Sequence, residues 1–487
     1  MRTASMLWLS SNRHPESTFR VVDDTTMIHQ VASKSRKCLD PMIPHVLSSR
    51  ASTEMAVPNH HAKKIMDRLL GAMNPEELAR HYGPQDPKSH PLPPRVPGSG
   101  DHSMAALQRR RAVLREQHIE VPQLAGDGAE IAPDELAGNI ENLIGFARMP
   151  VGVIGPLRIR GTAANGDFYI PLATTEGALV ASCQRGAQTI SRAGGATACC
   201  FTESVSRAPC FVFDGLVETG RFLAWVIPQY DQLQAVVAAT SRHCQLLDLR
   251  TSVIGKEVYL GFEFTTCDAG GQNMVTIATE ALCKAILADA PVQPRRWYLD
   301  GNLSGDKKAT MLGFTYARGK KVVADVAIDR RIVTRFLHTE PEEMFKYWQI
   351  SALGGVQSGS IGVQGHFANS LAALFIACGQ DAACVSEAAV GITRMDVTPD
   401  GGLYVAVSLP NLIVGTVGGG TRLPTQRECL EMMDCYGTGK ARKLAEICAA
   451  TVLAGEISII AAMAAGHFGH AHATYGRQKP AQDSAES

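Results

Sequence analysis

Net charge is absent from this chain: 47 basic and 47 acidic side chains cancel over 487 residues. Without a one-signed field there is no electrostatic footprint of a nucleic-acid binder or of a protein held on an anionic membrane, so a small-molecule partner is expected. Among 13 cysteines no CxxC pair and no Cys/His cluster at zinc spacing occurs, and the count is odd. Neither a structural zinc nor a disulfide framework is indicated, no metal is expected, and a reduced cytoplasmic setting fits best. Long uncharged apolar runs are missing too. The longest apolar stretch, Leu444 to His467, is interrupted by Glu446 and Glu456, which leaves nothing near the ~20 residues a membrane span needs and favours a buried helix. The opening MRTASMLWLSS is too short for a secretory signal and has no clear cleavage pattern. No GxGxxG follows a strand, so a Rossmann fingerprint is lacking.

What is present suggests more than one unit, since domains usually take ~100 to 200 residues. Residues 1–100 read as a variable tail: mixed charge without a period, then HAKKIMDRLLGAMNPEELARHYG with one or two short helices, then the Pro-rich linker PQDPKSHPLPPRVPGSGD. A small helical segment over 101–140 opens the globular body. From Glu176 to Arg192, the residues Leu179, Cys183, Ala187 and Ile190 recur at helical spacing, with Thr174 and Thr175 as candidate caps. Val258, Leu260, Phe262 and Phe264 alternate as in a half-buried strand, and after the turn DAGGQ a helix is expected from Asn273. Leu403 to Leu409 forms another alternating strand, ended by Pro410. Two Ala-rich segments, Ala368 to Ala383 and Ala441 to Ala465, are apolar nearly all round and should be central helices. The mixture argues for an α/β or α+β enzyme.

Two glycine turns, DAGGQNM (Asp268 to Met274) and GTVGGGT (Gly415 to Thr421), are of the kind that lets bare backbone approach a phosphate or ribose, although a need for positive φ would explain either alone. Asp381, in IACGQDAAC, follows an apolar helix and needs a cationic partner. Lys307 and Lys308, in SGDKKATM, are the obvious candidates, yet a lysine pair in a polar loop is ordinarily solvated surface. Glu176, placed in a first helical turn, and His467, His470 and His472, placed at a helix end, are where the helix dipole alone would favour them.

Together and in order, these segments resemble hydroxymethylglutaryl-CoA reductases, in particular the class that includes eukaryotic and archaeal enzymes. The resemblance runs from ENLIGFARMPVGVIGPL through IPLATTEGALVAS, TSVIG, DAGGQNM, GDKKA, ACGQDAA and GTVGGGT to AGHFGHAH. It implies an α+β fold: a large CoA- and substrate-binding domain around a long central helix (141–200 and 298–475), a smaller ferredoxin-like dinucleotide-binding domain inserted over 201–297, and a tail over 476–487. It also implies an active site between two subunits of a homodimer or dimer of dimers. By the same resemblance Glu176, Lys307, Asp381 and His472 are the catalytic group. Ser241 and Arg242 would receive the 2′-phosphate of NADPH, an Arg there being a sensible phosphate clamp. Asp268, Gly271, Asn273, Met274, Val417, Gly418 and Gly419 would complete the cofactor site, and Asp306, Lys308 and Asn369 would face the substrate. The implied reaction is two hydride transfers from NADPH to hydroxymethylglutaryl-CoA, giving mevalonate and free CoA. Lys307 would stabilise the oxyanion, Glu176 would supply a proton, Asp381 would couple to both, and His472 would protonate the departing thiolate.

Three positions depart from the family pattern. Cys199 falls where an arginine is aligned, Asp300 where a serine is aligned, and a further family lysine aligns near Ile350. Losing an arginine removes a bidentate contact to the substrate carboxylate, and an added aspartate would repel that carboxylate. This leaves open a reductase of a different acyl-CoA or acyl-carrier thioester, and a catalytically idle relative that binds CoA or dinucleotide.

Overall fold

A computed structural model describes residues 65–466 apart from positions 72, 99, 129, 130 and 317. The architecture is α+β and is built on a mixed sheet of eleven strands, with β1 (Val151–Gly161) and β2 (Asn165–Ala173) paired antiparallel and the two-residue β9 (Gly362–Val363) at one edge. Its spine is β3 (Ala196–Arg207). Residues Thr197 to Ser204 pair antiparallel with β8 (Gly319–Ile328), while Val205 to Arg207 pair with β6 (Glu257–Thr265). The chain thus passes from one half of the sheet to the other within a single strand, and a boundary drawn at Phe201 falls inside it.

Beyond β3 on one side lie β4 (Cys210–Val212), β5 (Gln245–Ile254), β6 and β7 (Arg296–Tyr298), in the order β7-β4-β6-β5 with every pairing antiparallel. The expected alternation holds in β6: Val258, Leu260, Phe262 and Phe264 are fully buried, while the residues between them are half-buried. On the other side β8 continues into β11 (Leu403–Leu412) and β10 (Gly391–Val397). β11 does not stop at Pro410. The register shifts between Leu409 and Leu412, and an irregularity of that kind tolerates a residue without an N–H.

The longest helix, Ala441–Ala464, packs against β8, β11, β3 and the helix Leu179–Arg192. By length and composition it could cross a membrane, but it lies buried within the fold. Close approach is possible because Gly186 faces it, where a Cβ would overlap the Ala454 carbonyl. Its two acids are what tie it down. Glu446 is fully buried and accepts hydrogen bonds from the Ala163 N–H (2.8 Å), the Ala164 N–H (2.7 Å), the Cys200 N–H (3.2 Å) and the Thr162 hydroxyl. Glu456, equally buried, accepts from the Gly365 and His366 N–H groups, each at 2.7 Å, and from the Thr393 hydroxyl at 2.7 Å. The carboxylates that break the apolar pattern in the sequence therefore satisfy loop backbone that would otherwise be orphaned.

Two helices are shorter than expected. The first starts at Leu179 rather than Glu176, because Ala178 precedes it with φ +75° and no side chain caps it; the Thr174 hydroxyl instead accepts from the Glu176 N–H at 3.0 Å. Glu176 is thereby in an exposed loop rather than a helical turn. The second, Phe367–Ala377, ends well before Ala383, because Gly379 turns left-handed at φ +64° against Gly420.

Replacing Glu446 with Ala would strand the Ala164 and Cys200 N–H groups in the core, whereas Ala163 is exposed. Orphaned buried donors cost ~1 to 3 kcal/mol each before relaxation, so we expect a loss of at least about 2 kcal/mol, read from denaturant unfolding.

Candidate active site

The loop that follows β7 carries Ser304 to Lys308, and Lys307 sits there with φ +54°, an uncommon backbone for a side-chain-bearing residue. Its ammonium lies 2.7 Å from the Asp381 carboxylate, and both side chains are 42% exposed, so the pair faces a surface accessible to ligand. The hydrogen bond to Asp381 raises the Lys307 pKa, desolvation opposes it, and the Asp381 charge adds to the rise. Lys307 is thus cationic throughout the neutral range. The other oxygen of Asp381 accepts from the Ala383 N–H at 3.0 Å and caps a short 3-10 turn. Asp381 is consequently not a buried carboxylate but a surface one, held by a cap and a lysine.

Behind the pair lies a row of charges. Asp306 contacts Arg207 at 3.0 Å and also Arg318, and Arg207 contacts Asp300 at 2.8 Å. Burial pushes the Asp306 carboxyl up, but the Arg318 and Arg207 guanidiniums override it and hold it below the ordinary carboxylate range. Lys308 donates to the Asp306 carbonyl at 2.9 Å and has no carboxylate partner among the described residues. Cys199, by contrast, is 5% exposed in the middle of β3, where burial and the nearby Glu446 push its thiol up to about 11. Eight residues later the last residue of that strand, Arg207, reaches Asp300 and Asp306. Sequence reasoning missed Arg207 and Arg318, for nothing in SVSRAP or YARGK distinguishes them from surface arginines.

Glu176 is on a different part of the molecule's surface. Its carboxylate accepts from the Asn369 amide at 3.1 Å, and Asn369 is in the first turn of Phe367–Ala377, whereas Asp381 comes four residues past that helix. At ~1.5 Å per residue, roughly 12 Å of helix separates the two. No hydrogen bond or ion pair joins Glu176 to Lys307 or Asp381 among the described residues. A cavity of about 480 Å³ opens beside Glu176, lined by Leu107, Leu114 and Val180 and by Arg110, Arg111 and His102.

The two glycine turns meet. A Cβ on Gly415 would overlap the Gly270 nitrogen, and Gln380, beside Asp381, exchanges two hydrogen bonds with Gly415, at 2.8 and 3.0 Å. Gly271 has φ +82° and opens the helix Gln272–Asp289, so Asn273 and Met274 stand in its first turn, whose N–H groups have no intrahelical acceptor. Asp268 is spent on structure: its carboxylate accepts from the Gly439 and Ala441 N–H groups at 2.7 and 3.1 Å, fixing the turn to the start of the long helix. Gly418 and Gly419, after Val417, both have positive φ. Ser241 and Arg242 lie beside the start of the 268–271 turn, where the Cys267 thiol donates to the His243 carbonyl at 3.5 Å. His467, His470 and His472 fall outside the described residues.

Asp306 gives a pH signature. A carboxyl depressed in the folded state contributes stability that is complete above its unfolded pKa of ~3.9 and fades as pH falls through the folded value. The stability gap between the wild type and Asp306→Asn should therefore be full above about pH 5 and close in stronger acid, as followed by urea unfolding at several pH values.

Known proteins similar to this chain fall in one family. The family model described as hydroxymethylglutaryl-coenzyme A reductase matches residues 105–477. A relative from Pyrococcus horikoshii, named 3-hydroxy-3-methylglutaryl-coenzyme A reductase, is 42% identical over 416 residues, which is 84% of this chain and 99% of that protein. Another of that name from Methanocaldococcus jannaschii is 43% identical over 421 residues, 85% of this chain and 98% of the relative. Among solved structures, the class II 3-hydroxy-3-methylglutaryl-CoA reductase from Streptococcus pneumoniae bound to NADPH superposes with a TM-score of 0.59 at 18% identity, covering 73% of this chain and 96% of that one, a likeness of fold. With a model match across most of its length and archaeal relatives aligned almost end to end, the chain belongs to the hydroxymethylglutaryl-coenzyme A reductase family.

Proposed function

We propose that the protein reduces hydroxymethylglutaryl-CoA to mevalonate and CoA with NADPH, and that it works as a homodimer in the cytoplasm. The observation that carries this reading is the 2.7 Å contact between Lys307 and Asp381, reached from two distant segments and left open to ligand. A cation so held stabilises negative charge developing on the substrate oxygen without reorganising at the moment of reaction. Asp381 keeps that ammonium protonated and aimed. NADPH, when bound, supplies the hydride. The antiparallel sheet β7-β4-β6-β5 with its helices is read as the dinucleotide-binding part: Arg242 and Ser241 suit a 2′-phosphate, and the joined turns at 268–271 and 415–419 let backbone approach the rest. The cavity beside Glu176 is of a size and lining suited to an acyl-CoA chain. His472 remains the candidate donor to the departing thiolate.

Glu176 with Asn369 and Lys307 with Asp381 are two half-sites of one chain. We read each as completed by the other half from a partner subunit, so that the proton of Glu176 and the charge of Lys307 act on one substrate. Purified protein should oxidise NADPH with hydroxymethylglutaryl-CoA in preference to neutral acyl-CoAs, and Glu176→Gln and Lys307→Met should each abolish turnover. Refolded together, the two variants should regain about a quarter of wild-type activity, because half of the dimers are mixed and each mixed dimer holds one intact site. Mixed dimers that stay inactive while folded would place the site within one chain.

Arg207 is the cation we assign to the substrate's free carboxylate, together with Lys308. Asp300 is then no unpaired repulsive charge, since Arg207 already neutralises it. It does compete for the guanidinium. Asp300→Ser should release Arg207 and lower KM for hydroxymethylglutaryl-CoA several-fold with kcat nearly unchanged, whereas Arg207→Ala should raise KM by one to two orders of magnitude, about 1.5 to 3 kcal/mol of charge-assisted contact.

A further inference from the structure

Arg318 precedes β8 and is 4% exposed at its side chain, yet none of the roles proposed above uses it. Four of the guanidinium's five N–H donors are engaged. Nε donates to Glu387 at 2.6 Å, Nη1 to the Ser206 carbonyl at 2.8 Å, and Nη2 to the Gln272 amide oxygen at 3.0 Å and to Asp306. Each acceptor stands on a different element that borders the site. Asp306 immediately precedes Lys307. Glu387 belongs to the helical segment Val385–Ala388, continuous with the turn that Asp381 caps. Gln272 opens the helix beside the glycine turn, and Ser206 adjoins Arg207. The arginine's own backbone is anchored as well, because Gly319 beside it has φ +91° and is pressed on the Leu412 carbonyl.

We propose that Arg318 is a positioning residue: one buried guanidinium fixes the Lys307 loop relative to the Asp381 turn, and so sets the ammonium–carboxylate contact on which turnover depends. The inference rests on the catalytic reading of Lys307 given above. Four acceptors in different directions require the planar fork of arginine, and a lysine ammonium in the same place could serve only some of them. Stability alone is a poor account of the cluster, for buried ion pairs commonly contribute no more than well-packed apolar replacements of the same volume. Lys307 also needs an external constraint, since its own backbone lies in the left-handed region and its side chain is partly in solvent.

The ionisable groups around the Lys307 ammonium are Asp381, then Cys384 and Asp306, so its titration reports its distance from Asp381. Arg318→Met, Arg318→Lys and Glu387→Gln would be compared with wild type by the pH dependence of acetic anhydride labelling at Lys307, read by peptide mass spectrometry, and by kcat and KM across pH. Val407→Ala, in the buried face of β11, serves as a control for loss of stability alone. Arg318→Met should bring the labelling midpoint of Lys307 down towards the ~10.4 of a free lysine, move the alkaline limb of kcat the same way, and lower kcat at least about tenfold with KM changed less than about threefold. Arg318→Lys should recover part of this, and Glu387→Gln should shift both midpoints by less than Arg318→Met does. The control should lose stability with neither midpoint moved. Wild-type midpoints in folded Arg318→Met, or in Glu387→Gln where the arginine variant does not fold, overturn the proposal. A wild-type protein that turns over no thioester would overturn the catalytic reading instead, while the labelling midpoints still decide where Arg318 holds Lys307.

Discussion

An ammonium and a carboxylate 2.7 Å apart, both partly in solvent, do not hold one another in place by attraction alone. Exposed ion pairs are worth little once side-chain entropy and screening are counted. The contact between Lys307 and Asp381 therefore depends on the backbones that present the two residues, and those backbones are fixed from behind. Asp381 is set by a left-handed glycine, a cap and the neighbouring Gln380 bound to Gly415. Lys307 is set by Asp306, which two buried guanidiniums hold. The Lys307–Asp381 contact is thus an exposed pair on a buried support.

That support reaches into the core along β3 and the long helix. β3 joins both halves of the sheet and ends in Arg207, so the guanidinium that reaches Asp300 and Asp306 is placed by a strand most of whose residues are buried. The helix Ala441–Ala464 receives Asp268 at its first turn and offers Glu446 and Glu456 to loop backbone further along. An apolar helix with two buried carboxylates couples the glycine turn beside the site to the packing of the whole fold, since neither acid can leave without orphaning donors.

Strands and long helices were readable from the sequence because their signals are local. The alternation of Val258 to Phe264 and the apolar run of Ala441 to Ala464 each reflect a single burial pattern, and the structure reproduces both to within a residue or so. Ends were read less well. The helix expected at Glu176 begins at Leu179, and the one expected to reach Ala383 stops at Ala377, because left-handed turns at Ala178 and Gly379 are imposed by packing and not by residue type alone. Position 199 illustrates the same limit: the sequence puts Cys199 where a family arginine is aligned, and the structure buries that thiol while Arg207, eight residues on, reaches two carboxylates.

By itself the sequence determined the secondary-structure periods, the absence of a charge field, and, through the order of its motifs, the family and the identity of Glu176, Lys307 and Asp381 as residues to watch. Only the tertiary structure decided which of these meet. Lys307 finds Asp381 while Glu176 finds Asn369 at the far end of a helix, and Asp300 finds Arg207 instead of standing unpaired. Periodicity is a property of neighbouring residues and survives in one dimension. Ion pairing between residues many positions apart depends on where a shared sheet and a buried helix bring their backbones, and no local pattern encodes that.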